Sequence, residues 1–217
     1  MRVRPAALAV CAAASLAGGA ALATEPKQPA TAEEIVEYRE SGEWDADITR
    51  VTDRATAYLR SHLEDARKPA MVLDVDDTSL SSYDCLKAAD FDRDVVGDAC
   101  PAGGEMPAIA QTLALFRFAR AEGVSVFFIT GRRARLRAAT VSNLRAEGFG
   151  GTWSLRLRPN RQPRSQRSGW KARVRRELAR RGYTVVANVG DQWSDLRGGG
   201  AMRTFKLPNP MYTIPVA

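Results

Sequence analysis

The sequence predicts an α/β fold: an open, mostly parallel sheet with helices on both faces. Three observations carry this expectation. Residues 70–76, 124–130 and 183–189 are short runs that are apolar almost throughout, as strands are when both faces of a sheet are covered. Segments with helical apolar spacing separate these runs, the alternation that parallel sheets require. The chain has 217 residues, 45% hydrophobic and 26% charged. That excludes a disordered chain, a collagen-like chain and a multi-span membrane protein.

The start of the chain reads as an export signal. Met1 to Arg4 is basic, 6–17 is apolar, and Ala21-Leu22-Ala23 is a small-x-small cleavage site. A secretory signal peptide over 1–23 is expected, and with it a secreted or periplasmic protein with no membrane span after cleavage. The competing reading is an uncleaved anchor, but 6–23 is barely long enough to span and contains Gly18 and Gly19. Lipid attachment at Cys11 is disfavoured, because Val10 is bulky for such a site and Cys11 comes early in the apolar run. Removal of the leader leaves Cys85 and Cys100. An even count in an exported chain favours one disulfide over two free thiols. Residues 24–31 read as a flexible start and 32–217 as a single domain, about 190 residues being one ordinary domain.

The elements follow in order. Thr31 and Glu34 form a capping box that opens a helix, which Gly42 breaks. Ile48, Val51, Ala55, Tyr58, Leu59 and Leu63 fall at helical spacing and give a second helix, so an N-terminal helical extension is expected. The strand at 70–76 comes next. Residues 79–105 read as an irregular insert rich in acids and holding both cysteines. A helix over 107–121, the strand at 124–130 and a helix over 133–147 precede a weaker strand at 153–157. A basic helix starting at Lys171, the strand at 183–189 and an edge strand at 204–207 complete the chain. There is no internal repeat, P-loop or Gly-x-Gly-x-x-Gly.

In open α/β sheets, ligands bind at the carboxyl ends of the strands. Here those ends carry Asp74, Asp76, Asp77 and Thr78; Thr130, Gly131 and Arg132; and Asp191 and Asp195. Two aspartates separated by one residue can hold a hard cation through carboxylate and backbone oxygens, and two more acids complete an oxygen cage. Mg²⁺ takes such ligands and keeps several waters. Gathering Asp74, Asp76, Asp191 and Asp195 without a cation would be electrostatically costly, so the cluster implies a metal. His62 is the single histidine and reads as a surface residue of a helix rather than a catalyst.

Five segments together resemble one family: VLDVDDTSL at 72–80, VFFITGR at 126–132, GWK at 169–171, VGDQWSD at 189–195 and FKLPNPMY at 205–212. They are similar to the haloacid dehalogenase (HAD) superfamily and, within it, to the secreted acid phosphatases of classes B and C and the plant vegetative storage proteins. The resemblance covers about 35–212. It implies a Rossmann-like parallel sheet of HAD type, with a small cap insert at 79–105 after the first strand. It implies a Mg²⁺-dependent acid phosphatase whose substrate is a small phosphomonoester, nucleotides among the candidates. It also implies roles. Asp74 would be the nucleophile, forming an aspartyl-phosphate. Asp76 would protonate the leaving oxygen and then activate water. Thr130 would hydrogen-bond the phosphoryl oxygens, and Lys171 would neutralise the nucleophile and the transferring group. Asp191 would ligate Mg²⁺ with Asp74 and the Asp76 carbonyl, supported by Asp195. The chemistry is coherent: covalent catalysis divides the hydrolysis, and phosphoryl transfer needs mainly placement and charge compensation.

Other residues of these segments have plainer readings. Asp77 reads as solvated or capping, Thr78 as a turn cap, and Trp170 and Trp193 as packing residues. The third segment departs from the family in reading Trp170-Lys171-Ala172 within a helix of arginines.

Charge narrows the alternatives. The chain carries a formal +7, with 27 Arg against 5 Lys. Residues 132–181 hold 15 Arg and Lys171 against Glu147 and Glu177. Either this is a basic face that attracts anionic substrates or a solvated surface of an Arg-rich chain, and the second is favoured. A nucleic-acid binder would interleave aromatics along this stretch, and only Phe149, Trp153 and Trp170 offer themselves, so no specific nucleic-acid partner is expected. Dehalogenation needs neither Asp76 nor a metal. A non-catalytic storage or binding protein on the same fold is the remaining alternative, and Asp74 is intact. The insert at 79–105 is expected to select the substrate.

Overall fold

The computed structural model describes residues 31–215. The expected leader at 1–23, Cys11 and all of the 24–31 start except Thr31 lie outside them.

The described residues form a five-stranded, all-parallel sheet in the order β3-β2-β1-β4-β5. The strands are β1 (Pro69–Leu73), β2 (Ser125–Arg133), β3 (Ser154–Arg158), β4 (Thr184–Gly190) and β5 (Arg203–Lys206). The chain runs outward from β1 to β2 and β3, then returns to the other side of β1 for β4 and β5. Strand order therefore reverses between β1 and β4, which places their carboxyl ends at the crevice where such sheets bind ligands.

Period-two alternation assigns each side chain of β1 to a layer. Met71 and Leu73 join the main core with α2 (Glu43–Ser61), α6 (Ala110–Ala121) and α7 (Arg137–Ala146). That core contains Ile48, Leu59, Leu115, Phe128 and Leu144, all nearly inaccessible to solvent. Ala70 and Val72 face the opposite layer, where Trp170, Val174 and Leu178 of α8 (Arg167–Arg180) cover the sheet. Burying such a side chain contributes about 1.5–3 kcal/mol. The expected N-terminal extension is present. α1 (Ala32–Glu40) opens on the Thr31–Glu34 capping box, and α2 follows Gly42.

Three expectations are corrected. The insert at 79–105 is not irregular: it holds three short helices, α3 (Tyr83–Lys87), α4 (Arg93–Val96) and α5 (Ala99–Gly103). Each is about one turn, too short to show a period in sequence. Lys171 does not start its helix; α8 begins at Arg167, one turn earlier, so Lys171 points from the helix interior. Trp193, in α9 (Trp193–Leu196), is 40% exposed rather than packed, whereas Trp170 is buried as expected. Among the described residues no helix is long and apolar enough to cross a membrane.

Candidate active site

β1 ends at Leu73, and the chain continues as Asp74-Val75-Asp76. Asp74 keeps strand pairing through its N–H, which donates to the Val189 carbonyl of β4 at 3.1 Å. Its position continues the face of Ala70 and Val72, the face covered by α8. Lys171 comes from that helix, and its Nζ donates to Asp74 Oδ1 at 2.5 Å and to Asp195 Oδ1 at 2.6 Å. All three side chains are at least nine-tenths buried.

Asp191 and Asp195 come from the turn after β4. Asp195 folds back beneath Gly190, where a β-carbon would lie 2.6 Å from the Asp195 β-carbon, so this approach requires glycine. Asp195 Oδ2 accepts the Gln192 N–H at 2.9 Å. Asp191 is held from three sides: Thr78 Oγ1 donates to Oδ1 at 3.0 Å, and Asn209 Nδ2 and Gln192 Nε2 donate to Oδ2 at 2.7 and 2.8 Å. Carboxylate oxygens of Asp74, Asp191 and Asp195 lie within 4.8 Å of one another.

The electrostatics of this cluster are unbalanced. Burial, against the attraction of Lys171, pushes the Asp74 carboxyl well above its ordinary range, with Asp195 and Asp191 adding to the rise. Burial and the neighbouring Asp195 and Asp77 push Asp191 up to about 7. Burial would lower Lys171, but Asp195 and Asp74 more than offset it and raise its pKa. Three carboxylates thus face one ammonium. Two uncompensated negative charges among oxygen donors fit one hard divalent cation.

Asp76 is placed differently. Its carboxylate leaves the cluster and accepts Arg132 Nε at 3.0 Å and Nη2 at 2.8 Å, both on Oδ1. Burial raises the Asp76 carboxyl, but the charge and hydrogen bonds of Arg132 outweigh it and leave the carboxyl below its ordinary value. Arg132 is itself anchored by donating to Thr140 Oγ1 at 3.1 Å. Thr130 is fully buried within β2, which runs past the expected end at 130, and its hydroxyl accepts the Arg132 N–H at 3.1 Å.

Several residues have roles here that their sequence readings did not assign. Asp77 is neither solvated nor a cap. It is 3% exposed and accepts the Ser82 N–H and hydroxyl at 2.8 and 2.6 Å and the Tyr212 hydroxyl at 2.6 Å. Thr78 orients Asp191 instead of capping a turn. Asn209 and Tyr212 belong to the FKLPNPMY segment, which carried the resemblance without a role for either. Arg132 was visible in VFFITGR, but nothing in its spacing names Asp76 as its partner. Four arginines of the basic stretch, Arg132, Arg158, Arg167 and Arg175, are buried, which corrects the expectation of a wholly solvated surface.

The cluster forms the floor of a cavity whose wall includes Arg93, Val96 and Pro101 of the insert and Tyr212 and Ile214 of the C-terminal segment. Cys85 and Cys100 are disulfide-bonded across the insert, with their Cα atoms 6.1 Å apart. His62 lies away from this wall, stacked on Tyr58 with ring centroids 3.9 Å apart.

A strand-end acid cluster beside a buried lysine, at the switch point of a parallel sheet, defines a HAD-type site. The chain belongs to the HAD superfamily, subfamily IIIB (acid phosphatase), whose family model matches residues 4–215. It is 35% identical to "Acid phosphatase 1" of Solanum lycopersicum over 84% of this chain and 74% of that protein. It is 34% identical to "Stem 28 kDa glycoprotein" of Glycine max, over 82% and 72% of the two chains. The class C acid phosphatase from Bacillus anthracis shares the fold, with a TM-score of 0.68 at 21% identity over 82% of this chain and 83% of that one. The chain is accordingly a phosphomonoesterase of the HAD type, a hydrolase.

Proposed function

We propose that the chain is an exported, Mg²⁺-dependent acid phosphatase that hydrolyses small phosphomonoesters through an aspartyl-phosphate on Asp74. The observation that carries this reading is Asp74 itself: a buried carboxylate at the central strand end, held at 2.5 Å by Lys171 and facing the cavity.

Asp74, Asp191 and Asp195 would hold the cation, with the Asp76 carbonyl. A bound Mg²⁺ would supply charge compensation to the nucleophile and the phosphoryl oxygens. Asp74 attacks phosphorus, and Lys171 offsets the charge spread over the transferring group. Asp76 gives a proton to the leaving oxygen and takes one from water in the second step. Arg132 favours its ionised form, which suits the second step. In the first step the charge of a phosphoryl group close to Asp76 opposes Arg132 and favours the proton. Thr130, by holding the Arg132 amide and through its own hydroxyl, arranges the donors for phosphoryl oxygens. A non-catalytic storage role on the same fold leaves the intact Asp74–Lys171–Asp195 arrangement without a purpose.

A common covalent intermediate has a kinetic signature. In water–methanol mixtures, esters with different leaving groups should all partition product between phosphate and methyl phosphate in one fixed ratio. A ratio that varies with the leaving group would rule out the shared intermediate.

A further inference from the structure

Two buried arginines of α8 differ in how they are satisfied. Arg175 is fully buried and donates to the carbonyls of Asp195, Gly199 and Arg197. Its role is complete within the protein: it fastens the turn after β4. Arg167 is 6% exposed, yet its side chain makes no hydrogen bond or ion pair among the described residues, and its Nε is buried without a partner. A buried guanidinium without an anion costs several kcal/mol. It lines the active-site cavity.

The position of Arg167 is not accidental packing. Its side chain lies directly on the backbone of Gly131, in the VFFITGR segment. A β-carbon at 131 would sit 2.7 Å from Arg167 Nε and 2.8 Å from Cδ. Glycine at 131 therefore makes room for this guanidinium beside the phosphoryl-binding strand end.

The other cations of the cavity sort by engagement. Lys171 is held by Asp74 and Asp195, Arg132 by Asp76, and Arg158 by the carbonyls of Gly131 and Gln162. Arg93 of the insert lies over the Tyr212 ring, 4.3 Å from its centroid. Arg164 is 3.8 Å from Asp94, which is almost fully exposed, a loose surface pair. Burial, and then the charges of Arg93 and Arg164, lower the Arg167 pKa against the attraction of Asp74 and Asp195. Three guanidinium groups thus line the cavity, and none of them is bonded to a buried carboxylate.

We propose that Arg167, flanked by Arg93 and Arg164, forms a second anion subsite, so that preferred substrates are phosphomonoesters bearing another anionic group beyond the scissile phosphoryl. The planar fork of arginine suits a carboxylate or a phosphate as a two-point partner. This rests on the phosphatase reading above and adds a substrate class to it.

The test uses a graded set: phenyl phosphate and its ortho-, meta- and para-carboxyphenyl analogues, with the carboxylate position acting as a ruler. The wild-type chain should prefer at least one carboxylated ester. Arg167→Gln should lower kcat/KM for that ester about 10–100-fold more than for phenyl phosphate, the range for hydrogen bonds to a charged group. Arg164→Gln should give a smaller loss in the same direction. Because Arg167→Gln removes an uncompensated buried charge, its thermal midpoint should not fall; a large fall would indicate a structural arginine and overturn the subsite. Equal losses on all esters would place Arg167 on the transferring phosphoryl group instead, and absence of any wild-type preference would also overturn the proposal. Calorimetric titration with phenylphosphonate and the carboxyphenylphosphonates gives the same comparison without turnover. If no ester is hydrolysed, the phosphatase reading fails, and this titration still decides the subsite: tighter binding of a carboxylated phosphonate, lost in Arg167→Gln, upholds it, and equal binding refutes it.

Discussion

At the floor of the cavity, Asp74, Asp191 and Asp195 sit at or shortly after the ends of the two central strands, and buried donors fix each of them. In the wall formed by 79–105, three one-turn helices are joined by short loops, and Val95 is 74% exposed. The floor inherits its order from the sheet, whose strands are apolar and covered on both faces. The wall buries only Leu80, Tyr83, Leu86 and Cys100 of its apolar side chains, and the Cys85–Cys100 bond ties its helices together. A rigid floor can hold reacting atoms in place, while a wall held by one crosslink can diverge without disturbing them.

The largest effect should come from the floor. Asp74→Asn should abolish turnover, a loss of at least about 10⁴-fold, as removal of a nucleophile does in other hydrolases. The fold should survive, because burial disfavours the Asp74 charge and an amide carries none. Near-native circular dichroism with residual full activity would end the covalent mechanism. Chelation comes next. Thorough EDTA treatment should silence the enzyme and Mg²⁺ should restore it, and Asp191→Ala should raise the Mg²⁺ concentration needed for half-maximal rate. Unchanged activity after chelation would reject the cage of Asp74, Asp191 and Asp195.

The Asp76–Arg132 pair should give an intermediate effect of two kinds. Asp76→Asn should cost about 10²–10⁴-fold in rate by removing acid–base catalysis. Arg132→Met should also destabilise the fold, by about 3–5 kcal/mol where a buried pair loses one partner. Denaturation midpoints should fall for both variants, since Asp76→Asn leaves the buried Arg132 guanidinium facing a neutral amide; a midpoint unchanged in Asp76→Asn would show that the pair does not hold the fold.

The wall should give the smallest loss of turnover and the most selective change in function. Closing a loop of this size contributes at most about 3 kcal/mol by the chain-entropy estimate. Cys85→Ser with Cys100→Ser should alter KM and substrate preference while leaving the sheet folded. Unaltered kinetics on several phosphomonoesters would show that the insert does not select substrates.

The contrast also marks what could be read from sequence. The five strands and the longer helices were legible, because strands in a covered sheet and amphipathic helices leave different periods over enough residues. The one-turn helices of the wall were not, since five residues cannot express a period. Asp74, Asp76, Asp191 and Asp195 were legible as acids at strand ends, and Lys171 through the family resemblance. Their partners were not: Thr78 and Asp191 are 113 positions apart, and Tyr212 and Asp77 are 135 apart.

The amino-acid sequence by itself determined the layer architecture and the strand-end location of the acids. Each depends on local composition and period, which survive without knowledge of distant contacts. Only the tertiary structure decided that Asp76 turns from the acid cluster to Arg132, that Asp77 ties the first loop to the C-terminal segment, and that Arg167 is buried without a partner while Arg175 is fully satisfied. Those outcomes depend on which side chains meet across the sheet and on the burial that changes the energy of each charge.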